Sequence, residues 1–189
     1  MNSRRKITRV EIVRGAMELL DSGTLNALTV DQLAKHLHMS KSTLYKHFSS
    51  KEDLLAEVVQ TVCSETESHL SQLQEPMDLA PGLEAFTQVV AGHAERLPRA
   101  MYISCDSLPP KCSARLLENR AALEMGCESL VRRNEESGGV RQGQSRLFAS
   151  CYMAAAEAAV VQAIQGGEPE SRAAAVQSVH ALMAPGIQA

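Results

Sequence analysis

The sequence predicts an all-α chain: an N-terminal three-helix helix-turn-helix domain at residues 1–51, joined to a larger helical domain at residues 52–189. Three observations carry this. Apolar residues recur at i, i+3, i+4, i+7 along most of the chain, and no run alternates with period two for long. Glycine and proline fall at the ends of these periodic segments rather than inside them. Ser and Thr stand where several segments begin, as helix caps do. Hydrophobic residues make up 44% of the chain, enough for a core, but aromatics only 3% with no Trp. The core must therefore be built from Leu, Val, Ala and Met.

Residues 1–9, MNSRRKITR, form a basic arm through Arg4, Arg5, Lys6 and Arg9. Such an arm either tracks phosphates or stays a solvated tail. The first helix is expected over Thr8–Asp21, with Ile12, Val13, Ala16, Leu19 and Leu20 on one face and Gly23 as its C-cap. In the second, Val30, Leu33, Ala34 and Leu37 make an apolar stripe, and Thr29 with Gln32 makes a T-x-x-Q capping box. His38 and Met39 make a turn and Ser40 caps a third helix, with Leu44, Tyr45 and Phe48 expected on its inward face. Ser50 caps a fourth helix running to about Gln74, with Asp53 at its third position and a stripe of Leu55, Val58, Val59, Val62, Thr66 and Leu70. Breakers at Pro76, Pro81-Gly82, Pro98, Pro109-Pro110, Gly138-Gly139 and Gly166-Gly167 divide the remainder into helical segments near 82–96, 99–107, 110–136, 144–165 and 169–183. Leu116, Leu117, Leu123, Leu130 and Val131 supply the apolar positions of the third of these.

Lys41 and Lys51 each take the first position of a helix. A cation there faces the positive end of the helix dipole, a conflict that an external phosphate would relieve. Lys41, Ser42, Thr43, Lys46 and His47 project from the third helix away from its apolar side, a short basic face of the kind that enters a DNA major groove. Net charge is −3, but it is unevenly spread. Residues 1–51 carry nine Lys/Arg and four Asp/Glu, a formal +5, and residues 52–189 carry ten and eighteen, a formal −8. A basic module joined to an acidic one is expected where only the first meets nucleic acid.

From Ile12 onward the run IVRGAMELLDSGTLNALTVDQLAKHLHMSKSTLYKHFSSKEDLL resembles the N-terminal domain of TetR-family transcriptional regulators. The resemblance rests on the first helix ending before Ser22-Gly23, the Leu28-Thr29 entry, the cluster from Ser40 to Phe48, and Ser50-Lys51-Glu52 followed by Leu54-Leu55. One departure is His38, where the family usually places glycine. The resemblance implies a homodimeric DNA-binding regulator, most often a repressor, that reads a palindromic operator and responds to a small-molecule effector. Carried onto this sequence, the DNA-contacting set is Thr29, Lys41, Ser42, Thr43, Tyr45, Lys46, His47 and Lys51. A ligand pocket is implied among the helices of residues 52–165, with Phe86, Met101, Tyr102, Cys105, Met125, Phe148 and Tyr152 as candidate lining or as ordinary core.

The last two helices are rich in small residues; SRLFASCYMAAAEAAVVQAIQ is apolar nearly all round. Such helices pack either inside their own chain or against a second copy as a four-helix homodimer interface, the arrangement the resemblance implies. The five cysteines, Cys63, Cys105, Cys112, Cys127 and Cys151, form no C-x-x-C. They are expected as reduced, buried thiols of a cytoplasmic protein, the alternative being a redox pair such as Cys105 with Cys112. No signal peptide and no membrane-spanning run is expected. No P-loop, dinucleotide fingerprint, G-x-S-x-G or H-E-x-x-H occurs, so no catalytic residue, cofactor or metal site is assigned. His36, His38 and His47 are expected to face different directions rather than share a metal. Two other readings remain: an all-helical small-molecule carrier or enzyme, and a structural dimeric adaptor.

Overall fold

The computed structural model describes residues 7–74, 77–138, 140–166 and 171–187, and among them every regular element is helical. The α-helices are α1 (Arg9–Ser22), α2 (Val30–His36), α3 (Lys41–Tyr45), α4 (Lys51–Ser71), α5 (Leu79–Arg96), α6 (Arg99–Ile103), α7 (Pro110–Glu136), α8 (Ser145–Gly166) and α9 (Arg172–Met183), with short 3-10 turns after α4, α6 and α9.

Local chemistry fixes most boundaries. Thr8 caps α1 with Glu11 in a reciprocal capping box, and Thr29 does the same for α2 with Gln32. Ser40 caps α3 by accepting from the Thr43 amide at 3.2 Å. At α4 the Ser50 hydroxyl accepts from the Asp53 amide at 3.0 Å, while Asp53 accepts from the Ser49 hydroxyl at 2.6 Å. Helix α5 begins at Leu79, before the expected 82. Pro81 fits there because first-turn positions have no intrahelical N–H partner to lose. The segment expected at 99–107 is split, α6 ending at Ile103 before a 3-10 turn.

The chain forms two compact units: residues 1–61 with 97–114, and residues 62–96 with 115–189. This differs from a division at 51/52 in two ways. Leu54, Leu55, Val58 and Val59, on the first half of α4, are buried and count with the first unit. Residues 97–114 join it because α6 packs on α1, where the Arg99 amide donates to Asp21 Oδ1 at 3.1 Å. The first unit's core is Ile12, Ala16, Leu20, Leu33, Leu44, Phe48, Val58 and Met101. The second unit is centred on Leu83, Phe86, Leu123, Cys127, Val131, Tyr152 and Val176, with α9 packed against α5 and α8.

Two expectations of burial fail. Tyr45 is 54% exposed, because Leu44 and Phe48 alone point inward from a helix only five residues long. Leu117 is also exposed, lying off the face of α7 that carries Leu123, Leu130 and Val131.

Candidate nucleic-acid interface and ligand cavity

The α2–turn–α3 unit is held by the buried Leu33, Leu44 and Phe48 and by hydrogen bonds to its helix starts and turn. Thr29 Oγ1 accepts from the Gln32 amide at 3.2 Å, and Gln32 Oε1 accepts from the Thr29 amide at 3.1 Å. In the turn, the Met39 amide donates to the Ala34 carbonyl at 2.9 Å. His38 adopts φ 51°, the one non-glycine positive φ among the described residues. The departure at this position therefore keeps the left-handed turn and bears its steric cost.

Seen from α3, the candidate DNA set divides by exposure. Thr29, Lys41, Ser42, Tyr45 and Lys46 are exposed, and Thr43, His47 and Lys51 are half-buried. The Thr43 hydroxyl lies 2.8 Å from Ser40 Oγ and the Ser42 hydroxyl 3.0 Å from it, so both are held at the helix start. An open cleft of about 970 Å³ runs beside this face, walled by α1 through Glu11, Arg14 and Glu18 and by the turn and α3 through His38, Lys46 and His47. His36 does not join the other histidines; its Nε2 lies 2.8 Å from Glu18 Oε2.

Cations occupy the first position of α1, α3 and α4, and each has a protein partner. Lys41 forms an ion pair with Asp31. The Lys51 ammonium donates to the Leu25 carbonyl, and partial burial pushes its pKa down. Arg9 is not part of a free arm. Its guanidinium lies 4.1 Å over the Phe48 ring, donates to Glu57 at 2.9 Å and also to the His47 carbonyl. It thereby ties α1 to the end of α3 and to α4. The rest of the basic arm, Arg4 to Lys6, lies outside the described residues.

In the second unit, a cavity of about 420 Å³ lies among α4, α5 and α7. Of the candidate pocket residues, Phe86 and Met125 line it. Tyr152 stands beside them, its ring centroid 5.9 Å from both Phe86 and Phe148. Met101, Tyr102 and Cys105 belong to the first unit, on α6 and the turn after it. Leu70, Leu73, Met77, Gly82, Gly126, Ser129, Leu130 and Arg133 complete the lining and were not anticipated from the sequence. Two glycines inside helices were the available signal, since glycine there costs about 1 kcal/mol against alanine. A Cβ on Gly126 would lie 2.8 Å from Leu70 Cδ1, and one on Gly82 would lie 2.6 Å from Leu130 Cδ1.

Two threonine-centred networks cross this unit. The Thr66 hydroxyl donates to the Val62 carbonyl at 2.8 Å and lies 3.0 Å from His93 Nδ1. Burial first, and then the neighbouring Arg96 charge, hold His93 down at a pKa of about 4. Thr87 donates to the Leu83 carbonyl at 2.7 Å, which leaves its oxygen to accept from the Tyr152 hydroxyl at 2.6 Å and from His180 Nδ1 at 2.9 Å. Cys63, Cys112 and Cys127 are buried, and burial raises their thiol pKa values, to about 11 for Cys63 and about 12 for Cys127. Cys112 is thus a buried thiol held protonated, a poorer nucleophile than an exposed one, while Cys105 is exposed.

The chain can be placed against known proteins. Residues 12–58 match the family model for bacterial regulatory proteins of the tetR family. The fold is similar to that of a TetR-family transcriptional regulator from Agrobacterium tumefaciens, with TM-score 0.79 and 21% identity over 96% of this chain and 97% of that one. It is also similar to the transcriptional regulator FadR from Bacillus subtilis in complex with stearoyl-CoA (TM-score 0.71, 18% identity, 95% and 100% of the two chains). A transcriptional regulator from Saccharomonospora viridis in complex with choline is comparable (TM-score 0.78, 16% identity, 96% and 97%). The nucleoid occlusion factor SlmA of Marinomonas sp. (strain MWYL1) is 24% identical over 99 residues, and the match spans about half of each chain, 52% of this one and 50% of that one.

Proposed function

We propose that this chain, which belongs to the tetR family of bacterial regulatory proteins by its N-terminal domain and its fold, is a homodimeric transcriptional repressor that a small-molecule effector releases from a palindromic operator. The observation that carries the reading is the capped α2–turn–α3 unit with Lys41, Ser42, Tyr45 and Lys46 exposed on one short helix. Lys41, Ser42, Thr43 and Lys46 serve base edges and adjacent phosphates. Thr29, Tyr45, His47 and Lys51 serve the backbone. Two copies meet half-sites about one helical turn, ~34 Å, apart or a multiple of it.

Dimerisation through α8 and α9 is supported by what one chain leaves uncovered. Helix α8 is long and apolar enough to cross a membrane, contrary to the sequence expectation, and only 33% of its most apolar stretch is buried within the chain. Leu147 on α8 is 67% exposed and Leu182 on α9 is 82% exposed. A second copy covers such a surface as well as lipid does. Its polar attachments favour the protein partner: Glu157 of α8 bonds Arg120 at 2.6 Å, and Tyr152 joins the Thr87 network. The proposed location is accordingly the cytoplasm. The cavity among α4, α5 and α7 is the proposed effector site, in keeping with the stearoyl-CoA and choline bound by two structural relatives. A family of regulatory proteins weighs against the carrier, enzyme and adaptor readings.

The test is fluorescence anisotropy with a pool of random duplex DNA at two salt concentrations. Wild type is expected to bind in a salt-sensitive manner, and a Lys41→Ala/Lys46→Ala variant to lose most of that binding. Absence of binding at low salt by protein refolded free of ligand overturns the reading.

A further inference from the structure

We infer that the cavity of the second unit takes an uncharged, largely apolar molecule whose single oxygen bonds the Ser129 hydroxyl, and that this is the class of the effector. The inference rests on the regulatory reading above and deepens it. Leu70, Leu73, Met77, Phe86 and Leu130 give the cavity apolar walls, and Met125, 63% exposed, opens it toward solvent. The walls are held close on either side of α7: a Cβ on Gly126 would meet Leu70, and one on Gly82 would meet Leu130. A cavity lined in this way holds water poorly and binds apolar molecules. At about 30 Å³ for each water- or methylene-sized group, a volume of about 420 Å³ has room for about fourteen such groups.

Charge narrows the class. Among the described residues Arg133 is the one charged group on the lining, and it is already engaged. Its Nε donates to the Ser129 carbonyl at 3.3 Å, and the residue has a further interaction besides. A ligand carboxylate would compete with the contacts Arg133 already makes. A ligand ammonium would meet like charge, with no acid on the lining to answer it. A charge of either sign also loses its water on entering. Ser129 supplies the polar handle. Within helices Thr61, Thr66, Thr87 and Ser178 return their hydroxyls to the carbonyl four residues back, at 2.8, 2.8, 2.7 and 3.0 Å. The Ser129 hydroxyl makes no such bond, and among the described residues it has no hydrogen-bond partner. It is the side chain on the lining with its hydrogen bond still to make, which suits an alcohol or ketone oxygen.

The experiment is isothermal titration of the full-length, ligand-free protein with probes that share one body: 4-phenyl-1-butanol, butylbenzene, 4-phenylbutyrate and 4-phenylbutylamine. The alcohol is expected to bind about tenfold or more tighter than the acid or the amine. Ser129→Ala is expected to weaken the alcohol about fivefold and to leave butylbenzene unchanged. Arg133→Gln is expected to leave the order of the series unchanged. The place of binding is read on the unaltered protein by methyl NMR, where the Met77 and Met125 signals are expected to move on saturation with the alcohol. An acid or amine bound as tightly as the alcohol, equal losses of alcohol and butylbenzene affinity in Ser129→Ala, or Met77 and Met125 signals that stay fixed overturns the assignment, as does absence of alcohol binding. The effector role is read separately from DNA anisotropy. Saturating 4-phenyl-1-butanol is expected to weaken salt-sensitive DNA binding about tenfold or more. Alcohol that binds without changing DNA affinity overturns the effector role alone, whereas absence of DNA binding by the ligand-free protein overturns the regulatory reading itself.

Discussion

Acid should destabilise this protein through His93, and the size of the effect follows from its surroundings. Thr66 has one hydroxyl proton, and the Val62 carbonyl takes it at 2.8 Å. The Thr66 oxygen can then only accept from His93 Nδ1 at 3.0 Å, so the neutral imidazole carries its proton on Nδ1. Protonating Nε2 would place a charge in a buried site next to Arg96, and both burial and that charge oppose it. The folded pKa of about 4 lies below the unfolded value of 6.5. The unfolded chain therefore binds more protons between these values. The stability contribution is complete above pH 6.5 and is lost as the pH falls toward 4. At 1.36 kcal/mol per unit, the full loss is about 3 kcal/mol, of which about 2 kcal/mol falls between pH 7.5 and 5.0.

The perturbation is His93→Gln, whose amide can still donate to Thr66 but does not titrate. Urea unfolding followed by circular dichroism, at one fixed chain concentration because the stability of any self-associating chain depends on it, gives stability at pH 7.5 and 5.0. The wild-type loss over this interval is expected to exceed that of the variant by about 2 kcal/mol. Equal losses would refute the argument, as would an NMR titration of the His93 ring with a midpoint near 6.5.

Three further outcomes can be checked on the same equipment. Thr87→Val strips the Tyr152 hydroxyl and His180 Nδ1 of their shared acceptor and should cost about 1–3 kcal/mol, whereas Thr87→Ser should restore most of it, both read from urea midpoints. Arg9→Ala removes the guanidinium from Phe48 and Glu57 and should cost about 1 kcal/mol, with a drop in DNA affinity although the residue positions α3 rather than contacting DNA. His38→Val, β-branched at a positive φ, should be less stable than His38→Gly by about 1–3 kcal/mol in thermal unfolding.

What was legible in the sequence was the part written in local chemistry. The T-x-x-Q box at Thr29, the Ser40 and Ser50 caps and the turn at His38-Met39 all depend on residues within about five positions, and the structure has each of them. The helices after residue 75 were readable for the same reason, from glycine and proline at their ends. Contacts distant in sequence were not. Nothing in the pattern pairs Arg9 with Phe48 and Glu57, so a basic arm was expected where α1 begins. Tyr45 reads as one more apolar residue until the brevity of α3 leaves it outside. The cavity was half visible: Phe86 and Met125 were named from type alone, while Gly82 and Gly126, readable as glycines in helical segments, gain their meaning only once Leu130 and Leu70 are seen against them.

The lysines that open α3 and α4 show how one sequence signal can have two structural outcomes. Both break the dipole rule, and from the sequence an external phosphate answers both. In the structure Lys41 and Asp31 are each well over half exposed, so their ion pair contributes about 0–1 kcal/mol and is readily exchanged for a phosphate. Lys51 differs. It is half-buried, and its ammonium satisfies the carbonyl of the buried Leu25, which would lose its partner at a cost of about 1–3 kcal/mol if the side chain swung out to DNA. The two substitutions should therefore separate. Lys41→Ala is expected to lower the salt slope of DNA binding by about one unit with stability nearly unchanged. Lys51→Ala is expected to lower stability by about 1–2 kcal/mol while leaving most of the slope in place. A full unit of slope lost in Lys51→Ala would show that DNA binding pulls this lysine from Leu25, and would return it to the set of phosphate contacts.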